Sequence, residues 1–153
     1  MKLKYLLGVF LAFIATAGFS QQTPINILAL FRAKYPDQAV KTIKFKHDVY
    51  TISFIKDEKK CSAFFDAKGN WQKTETEYRW KDMPTEIKVS FVRSEYGNWL
   101  VEDSKKVESS YEVVYSVEVD NQYVLDREHA IGGEKDYFLI FSPDGKIVRV
   151  IPL

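Results

Sequence analysis

The chain has 153 residues, of which 46% are hydrophobic and 28% are charged, and its formal net charge is +1. Basic and acidic residues alternate along the chain, which argues against a nucleic-acid partner, because phosphate neutralisation by a basic face supplies most of the affinity in such complexes. A single cysteine, Cys61, excludes a framework of intramolecular disulfides.

The N-terminal segment has the three-part layout of a secretory signal peptide. Two lysines precede an apolar run over residues 5–14, and small residues follow it. Because a membrane-spanning helix needs about 20 consecutive apolar residues, residues 1–20 are predicted to be cleaved rather than to anchor the chain. Cleavage after Ala17 and after Ser20 both fit the pattern, and Ser20 is favoured. The mature chain is then expected to be periplasmic or secreted, without a membrane span.

A short helix and four strands are predicted after this segment. Thr23 is expected to cap the helix, with Pro24 at its first position, and Pro36 is expected to end it. Its apolar side is predicted to comprise Ile27, Leu28, Leu30, Phe31 and Tyr35. Period-two alternation then predicts strands at residues 43–45, 50–54, 61–65 and 71–77.

Cys61 belongs to the third of these strands. It alternates with Ala63 and Phe65, which places all three on one apolar face. We interpret Cys61 as a small buried hydrophobe; intermolecular pairing and thiol chemistry are the alternatives.

The second half of the chain repeats this order. A helix is predicted from residues 82–84, with Ile87, Phe91 and Tyr96 on one face and Gly97 as the stop. Strands are predicted at residues 100–107, 111–119, 137–141 and 147–151. In the second of these strands the odd-numbered residues are apolar and lie on one face, whereas Glu112, Ser116 and Glu118 lie on the opposite face. The apolar face is expected in the core and the other face in water.

Short motif pairs indicate that the halves are copies of one unit. The pairs are Arg32 and Tyr35 with Arg93 and Tyr96, Tyr50 with Tyr111, and the segments 65–70 and 141–146. The last pair is more widely spaced than the others, which predicts an insertion in the second copy at residues 126–136. The fold class expected is α+β, with tandem repeats at residues 24–80 and 81–153, each a short helix on one face of a roughly four-stranded antiparallel sheet.

Two motifs of the first copy carry a family resemblance. Residues 34–37 read Lys-Tyr-Pro-Asp, and residues 65–71 read Phe-Asp-Ala-Lys-Gly-Asn-Trp before an acidic strand. This pattern resembles the PepSY-like, beta-lactamase-inhibitor-like family of small exported bacterial proteins. The resemblance implies two helix-plus-sheet repeats, an extracytoplasmic location and a role in binding or inhibiting another protein, and it supplies no catalytic residue. The second copy departs from it at Gly97 and Asn98.

Several catalytic and metal-binding patterns are weak or missing in the sequence. Segments 66–70 and 142–146 offer oxygen ligands but lack the closing glutamate of a calcium loop, so glycine-containing hairpin turns are predicted there. His47 and His129 have no zinc-site spacing around them, and no nucleophile elbow or phosphate loop occurs. Glu75 and Glu77 have the spacing of paired carboxylates, but we interpret them as part of a charged stripe. We therefore expect neither an enzyme nor a cofactor or metal.

Aromatic residues supply the candidate binding site. The four that fit the predicted core faces least well are Trp71, Tyr78, Trp80 and Trp99. Tryptophan and tyrosine often anchor protein interfaces, although packing between the halves is an alternative role. The leading hypothesis is a module that binds an extracytoplasmic protein through its exposed sheet face and residues 126–136; the alternative is a binder of a small apolar ligand, cupped between the sheet and the helices.

Overall fold

In the computed structural model of this protein, residues 25–121 and 136–153 are described. They form one eight-stranded antiparallel sheet and two helices. The predicted signal peptide, His129 and nearly all of the predicted insertion lie outside these residues. No helix of the described part is both long and apolar enough to cross a membrane.

The strands lie in the sheet in the order in which they occur in the chain. The elements are α1 (Ile27–Lys34), β1 (Val40–Lys46), β2 (Val49–Lys56), β3 (Lys59–Asp66), β4 (Trp71–Glu77), α2 (Thr85–Arg93), β5 (Leu100–Ser109), β6 (Val113–Asp120), β7 (Asp136–Phe141) and β8 (Ile147–Pro152), with a 3₁₀ turn, Trp80–Asp82, before α2. The predicted α+β class is confirmed. The strands, however, form one continuous sheet rather than two separate four-stranded sheets.

Helix α1 starts later than the sequence suggested. Asn26 is its N-cap, and the Asn26 side-chain oxygen accepts a hydrogen bond from the Ala29 amide at 3.1 Å. Only Ile27 and Phe31 are buried, whereas Leu30, predicted on the apolar side, is 39% exposed. A helix of eight residues presents one narrow stripe to the sheet, which leaves its neighbouring apolar positions at the surface.

Helix α2 ends earlier than predicted. Its C-cap is Ser94, whose hydroxyl donates to the Phe91 carbonyl at 2.7 Å, so the helix stops before Gly97. Ile87 and Phe91 are buried, as their spacing indicated. Tyr96 lies beyond the helix and packs instead by its ring against Trp99, with the centroids 5.2 Å apart.

The turns at the ends of β3 and β7 follow the prediction. Gly69 and Gly145 have φ values of +83° and +87°, a left-handed conformation that favours glycine. The Asp66 carboxylate accepts hydrogen bonds from the amides of Lys68 and Asn70 at 2.9 and 2.8 Å. These oxygens stabilise the turn, as expected of a hairpin.

Strand register shows that both helices cover the same side of the sheet. Directly paired residues of neighbouring antiparallel strands lie on the same face. The chain of such pairs runs from Phe54 to Cys61, Thr76, Lys106, Tyr115 and Phe141 across six strands. Because Phe54 contacts α1 and Phe141 belongs to the core under α2, one face of the sheet carries both helices.

The core has two clusters, one under each helix. The first consists of Ile27, Phe31, Ile52, Phe54, Cys61, Ala63 and Phe65, and the second of Met83, Ile87, Phe91, Val117, Val119, Leu139 and Phe141. Cys61 is 3% exposed between Ala63 and Phe65, as the alternation predicted. Tyr111, predicted to begin a strand, lies in the turn before β6 and is 95% exposed, because β6 begins only at Val113.

Strands β4 and β5 join the halves. They are paired from Lys73 with Ser109 to Glu77 with Lys105. Beyond this ladder, Ser104 and Tyr78 exchange two more bonds: the Tyr78 amide donates to the Ser104 carbonyl, and the Ser104 hydroxyl donates to the Tyr78 carbonyl, both at 2.9 Å. The junction is therefore an ordinary pair of sheet strands with its backbone groups satisfied.

Candidate binding surface

The side of the sheet opposite the helices is here called the open face. Register places Glu75 opposite Val107, and Val107 opposite Val114, on this face. Farther along, Ser116 pairs with Ile140. No helix of residues 25–121 and 136–153 covers these positions, because both described helices contact the other side.

A groove of about 460 Å³ runs across the open face over strands β4 to β8. It is lined by Gln72, Lys73, Glu75, Lys105, Val107, Ser109, Glu112, Val114, Ser116, Phe138, Ile140, Arg149 and Ile151. Five strands contribute to it, so its shape depends on the pairing of the whole second half with β4. A surface that is assembled in this way exists only in the folded sheet.

The floor of the groove is apolar. We define the open-face patch as Val107, Val114, Phe138, Ile140 and Ile151. Val114 and Ile140 are only 7% and 8% exposed, although no described element lies over them. The face predicted to lie in water therefore also contains apolar side chains that are nearly buried. The reason is that β7 is apolar at every position from Tyr137 to Phe141, as in strands buried on both faces.

Charged side chains surround the patch and form ion pairs with one another. Glu75 contacts Lys73 at 2.6 Å and Lys105 at 3.2 Å, and Glu112 contacts Arg149 at 2.6 Å. Burial on its own would raise the pKa of Glu75, but the two ammonium groups outweigh it and lower the pKa below its usual value. Glu75 is therefore ionised and oriented at neutral pH.

The two glutamates of β4 do not act as a carboxylate pair. Glu75 is held between two lysines, whereas Glu77 contacts Lys60 at 3.3 Å. The pKa of Glu75 is lowered, which is the opposite of what a general acid requires. The charged-stripe interpretation agrees with this arrangement, except that Glu75 is partly buried.

An exposed aromatic residue stands at the end of the groove. Tyr111 occupies the turn between β5 and β6, next to the lining residues Ser109 and Glu112. The Ser109 hydroxyl accepts from the amides of Tyr111 and Glu112 at 3.3 and 3.1 Å, which fixes the turn. Sequence reasoning assigned Tyr111 to a strand core and so missed it as a surface residue.

The four aromatic residues predicted to bind a partner lie on the helix side. Trp71 packs against the first core cluster, its indole N–H donates to the Thr74 hydroxyl at 3.0 Å, and the Lys34 ammonium lies 3.5 Å from its ring centroid. Tyr78 meets Tyr115 edge-on at 6.2 Å. Both are therefore held by packing within the chain.

Trp80 and Trp99 are held in the same way by the second core cluster. Trp80 meets Phe91 edge-on at 5.0 Å, and Trp99 lies 5.5 Å from Tyr137, ring centroid to ring centroid. All four predicted residues are half-buried on the face that carries the helices. The structure thus gives each a packing role and does not bring any of them into the open-face groove; partner binding by these side chains stays a prediction.

The described residues form no group of three or more histidine, cysteine and carboxylate side chains suited to a metal ion. His47 lies in the two-residue turn between β1 and β2 at a positive φ of 49°. The Cys61 thiol contacts the Thr76 hydroxyl at 3.5 Å within the core. Another depression of the described chain, of about 470 Å³ and including Tyr78, is lined mostly by charged side chains, whereas the open-face groove has an apolar floor.

The described residues define an α+β fold with two helices on one face of an eight-stranded antiparallel sheet and a groove on the other. This chain is similar to the crystal structure of a BLIP-like protein from Bacteroides fragilis, with 25% identity, a TM-score of 0.69, and coverage of 83% of this chain and 84% of that one. A DUF2874 family protein from Bacteroides ovatus is 20% identical, with a TM-score of 0.70 and coverage of 84% and 86%.

A third solved structure, of a presumed periplasmic protein from Bacteroides eggerthii, is 16% identical with a TM-score of 0.66 and coverage of 82% and 86%. No protein-family model matches the chain, and no curated protein does. This chain thus shares a BLIP-like fold with the solved structures over most of its length and most of theirs.

Proposed function

We propose that this chain is an exported protein-binding module that contacts an extracytoplasmic protein through its open face. The observation that carries the proposal is the open-face patch, an apolar floor inside a groove of about 460 Å³ on the uncovered side of the sheet. Val107, Phe138 and Ile151 are the patch residues still accessible to water, and covering them with a partner is favourable because it removes their apolar surface from water.

The composition of the groove fits a protein interface better than a site of chemistry. Protein interfaces combine an apolar centre with a polar rim and are enriched in aromatic residues. Here the patch supplies the centre, the Arg149–Glu112 pair lies at the rim, and Tyr111 offers an exposed ring on a fixed turn. We propose accordingly that the chain is a binder or inhibitor and not an enzyme.

Export is proposed from the layout of residues 1–20. The fold similarity to a presumed periplasmic protein and to a BLIP-like protein supports the same compartment and a binding role. The PepSY-like part of the resemblance, and inhibition of a particular enzyme such as a beta-lactamase, remain part of the proposal.

The repeat hypothesis is also kept as a proposal, with a changed alignment. Tyr50 pairs with Phe65, and Tyr115 pairs with Phe141, so the counterpart of Tyr50 is Tyr115 rather than Tyr111. The glycine turns support two equivalent units, because Gly69 lies against Leu30 of α1 and Gly145 lies against Glu86 of α2.

The test is a binding assay with open-face variants. Extracytoplasmic proteins that the purified chain retains in stoichiometric amount are identified and re-bound in pure form. Phe138→Asp and Val107→Asp, both in the groove, are expected to weaken the reconstituted complex at least about tenfold, which corresponds to about 1.4 kcal/mol. Val92→Asp is the matched control, since Val92 is an apolar residue on α2 that is 68% exposed.

Two outcomes would overturn the proposal. One is an equal loss of binding in all three variants, and the other is that no complex can be reconstituted. Retained binding in the groove variants, with loss in Trp71→Ala or Trp99→Ala, would move the interface to the helix side, as the aromatic residues predicted. A deletion within residues 126–136 tests the loop. Binding of a small apolar probe that Phe138→Asp abolishes, without any protein partner, would favour the alternative function.

A further inference from the structure

The two outer strands of the sheet differ in how their edges are protected. Free strand edges invite pairing with another chain, and charged residues and bulges prevent it. Strand β1 has Lys41, Lys44 and Lys46 along seven residues, and its pairing with β2 is interrupted by an irregularity between Val40 and Thr42. The β1 edge therefore has two of the usual protective features.

Strand β8 is less protected by charge: its pairing with β7 also shifts, between Ile140 and Phe141, but it carries one charged residue where β1 carries three lysines. Its sequence is Ile-Val-Arg-Val-Ile-Pro, and its one charged residue, Arg149, is already neutralised by Glu112 at 2.6 Å. The exposed apolar residues at this edge are Val148, Val150, Ile151 and Leu153, at 48%, 40%, 44% and 62%. Within the described residues nothing pairs with the outer side of β8, which ends the sheet.

We propose that β8 pairs antiparallel with β8 of a second copy of this chain, with the twofold axis at Val150. Each Arg149 then lies opposite an Ile151, whereas Val148 lies at the irregularity of the β7–β8 pairing and is left out of this register. No like charges face each other in this register, and each arginine keeps its own Glu112. A strand that is apolar on both sides of its centre is thus complementary to itself, as a twofold interface requires.

The backbone supports this register. The Leu153 amide donates inward to the Asp136 carbonyl at 3.0 Å. Because inward and outward groups alternate along a strand, Ile151 also points its N–H and C=O toward β7, whereas Val150 points both outward. Two copies of Val150 can therefore exchange two hydrogen bonds. Pro152, which has no N–H, falls at an outward position, so β7 loses nothing, but the ladder between the copies has one donor fewer on each strand.

Two alternative registers lie one residue away. One is centred on Ile151 and pairs Val150 with Pro152, which has no N–H to donate, so fewer hydrogen bonds form. The other is centred on Arg149. It would place two guanidinium groups directly opposite each other, which is unfavourable in a cross-strand pair. Pairing about Val150 avoids this and extends the sheet across two copies. The two open-face grooves then lie on one continuous surface, so a dimer could hold two binding sites at once. The dimer itself does not depend on the proposed function.

The test is sedimentation equilibrium of the protein expressed from its full-length chain, over a wide concentration range. The wild type is expected to show a monomer–dimer equilibrium. Val150→Lys places like charges opposite each other and is expected to raise the dissociation constant at least about tenfold. Ile43→Lys on β1 is the matched control, because Ile43 also lies on the helix side of an edge strand and is also 40% exposed. Thermal melts show whether both variants stay folded.

A disulfide cross-link tests the register without weakening the interface. Residues directly opposite in a hydrogen-bonded antiparallel pair have Cα atoms about 5.5 Å apart, which a disulfide spans. Val150→Cys is expected to form a covalent dimer on mild oxidation, and Ile43→Cys is not; the native Cys61 is buried and does not compete. A wild type that stays monomeric throughout, a dimer that survives Val150→Lys, or equal cross-linking of both cysteine variants would overturn the proposal.

Discussion

Two glycines offer a comparison that separates backbone strain from a steric clash. Gly69 and Gly145 have nearly the same φ, +83° and +87°, in equivalent turns. Alanine in this left-handed region costs about 1–2 kcal/mol at either position, because its Cβ crowds the following carbonyl. Any difference between the two alanine variants must then come from what the new Cβ meets.

The two surroundings differ in rigidity. A Cβ at Gly145 would lie 2.7 Å from the Glu86 carbonyl oxygen, which belongs to the first turn of α2. A Cβ at Gly69 would meet the Leu30 Cδ1, the end of a flexible side chain that is 39% exposed and can rotate away. Moving a packed backbone adds about 1–3 kcal/mol. We expect losses of about 1–2 kcal/mol for Gly69→Ala and about 2–5 kcal/mol for Gly145→Ala.

The assay is equilibrium unfolding in urea, followed by far-ultraviolet circular dichroism. The free energy of unfolding comes from linear extrapolation, and an unchanged slope shows that the variants unfold to the same extent. Equal losses at the two positions would refute the reasoning, since they would mean that α2 does not pack on the β7–β8 turn as rigidly as the structure indicates. No loss at either position would contradict the left-handed conformation itself.

Three further predictions concern the core, the groove and a turn. Phe31→Ala and Phe91→Ala, one in each core cluster, are each expected to cost about 3–5 kcal/mol and to shift one common unfolding transition, because β4 and β5 join the halves; a biphasic urea curve would contradict this. The pKa of Glu75 is lower in the folded state than in the unfolded state. Its stabilising effect is therefore present above the unfolded-state pKa and is lost as the pH falls through the folded-state pKa. The difference in unfolding free energy between wild type and Glu75→Gln should shrink in acid. The pKa of Asp144 is about 2, chiefly because the Ser142 hydroxyl donates to it, and Ser142→Ala should raise that pKa toward 3.8 in an NMR titration.

The sequence predicted most elements because their signals are local. Alternation located β2 to β4, and the glycine turns followed from Gly69 and Gly145. Helix ends were less well predicted, since capping depends on single hydrogen bonds such as those of Asn26 and Ser94. The alignment of Tyr50 with Tyr111 does not agree with the strand register, because Tyr111 precedes β6 and Tyr115 is the residue that pairs with Phe141.

The open-face patch was not predicted from the sequence, and partner binding by the four aromatic residues stays a prediction. Aromatic residues outside the clearest periodic runs were expected to be available to a partner, but Trp71 and Trp99 pack on the helix side against residues far away in the chain. The open-face patch, in contrast, consists of aliphatic residues and Phe138, which look like ordinary core positions in the sequence. The uninterrupted apolar run in β7 was the one signal that could have revealed it.

What the sequence determined by itself was the α+β class, most strand positions, the burial of Cys61 and the glycine turns, because each depends on neighbours a few residues apart. What only the tertiary structure decided was that all eight strands join in one sheet and which residues meet in the groove. These depend on the register between strands, and register follows from the pairing of distant segments such as β4 with β5.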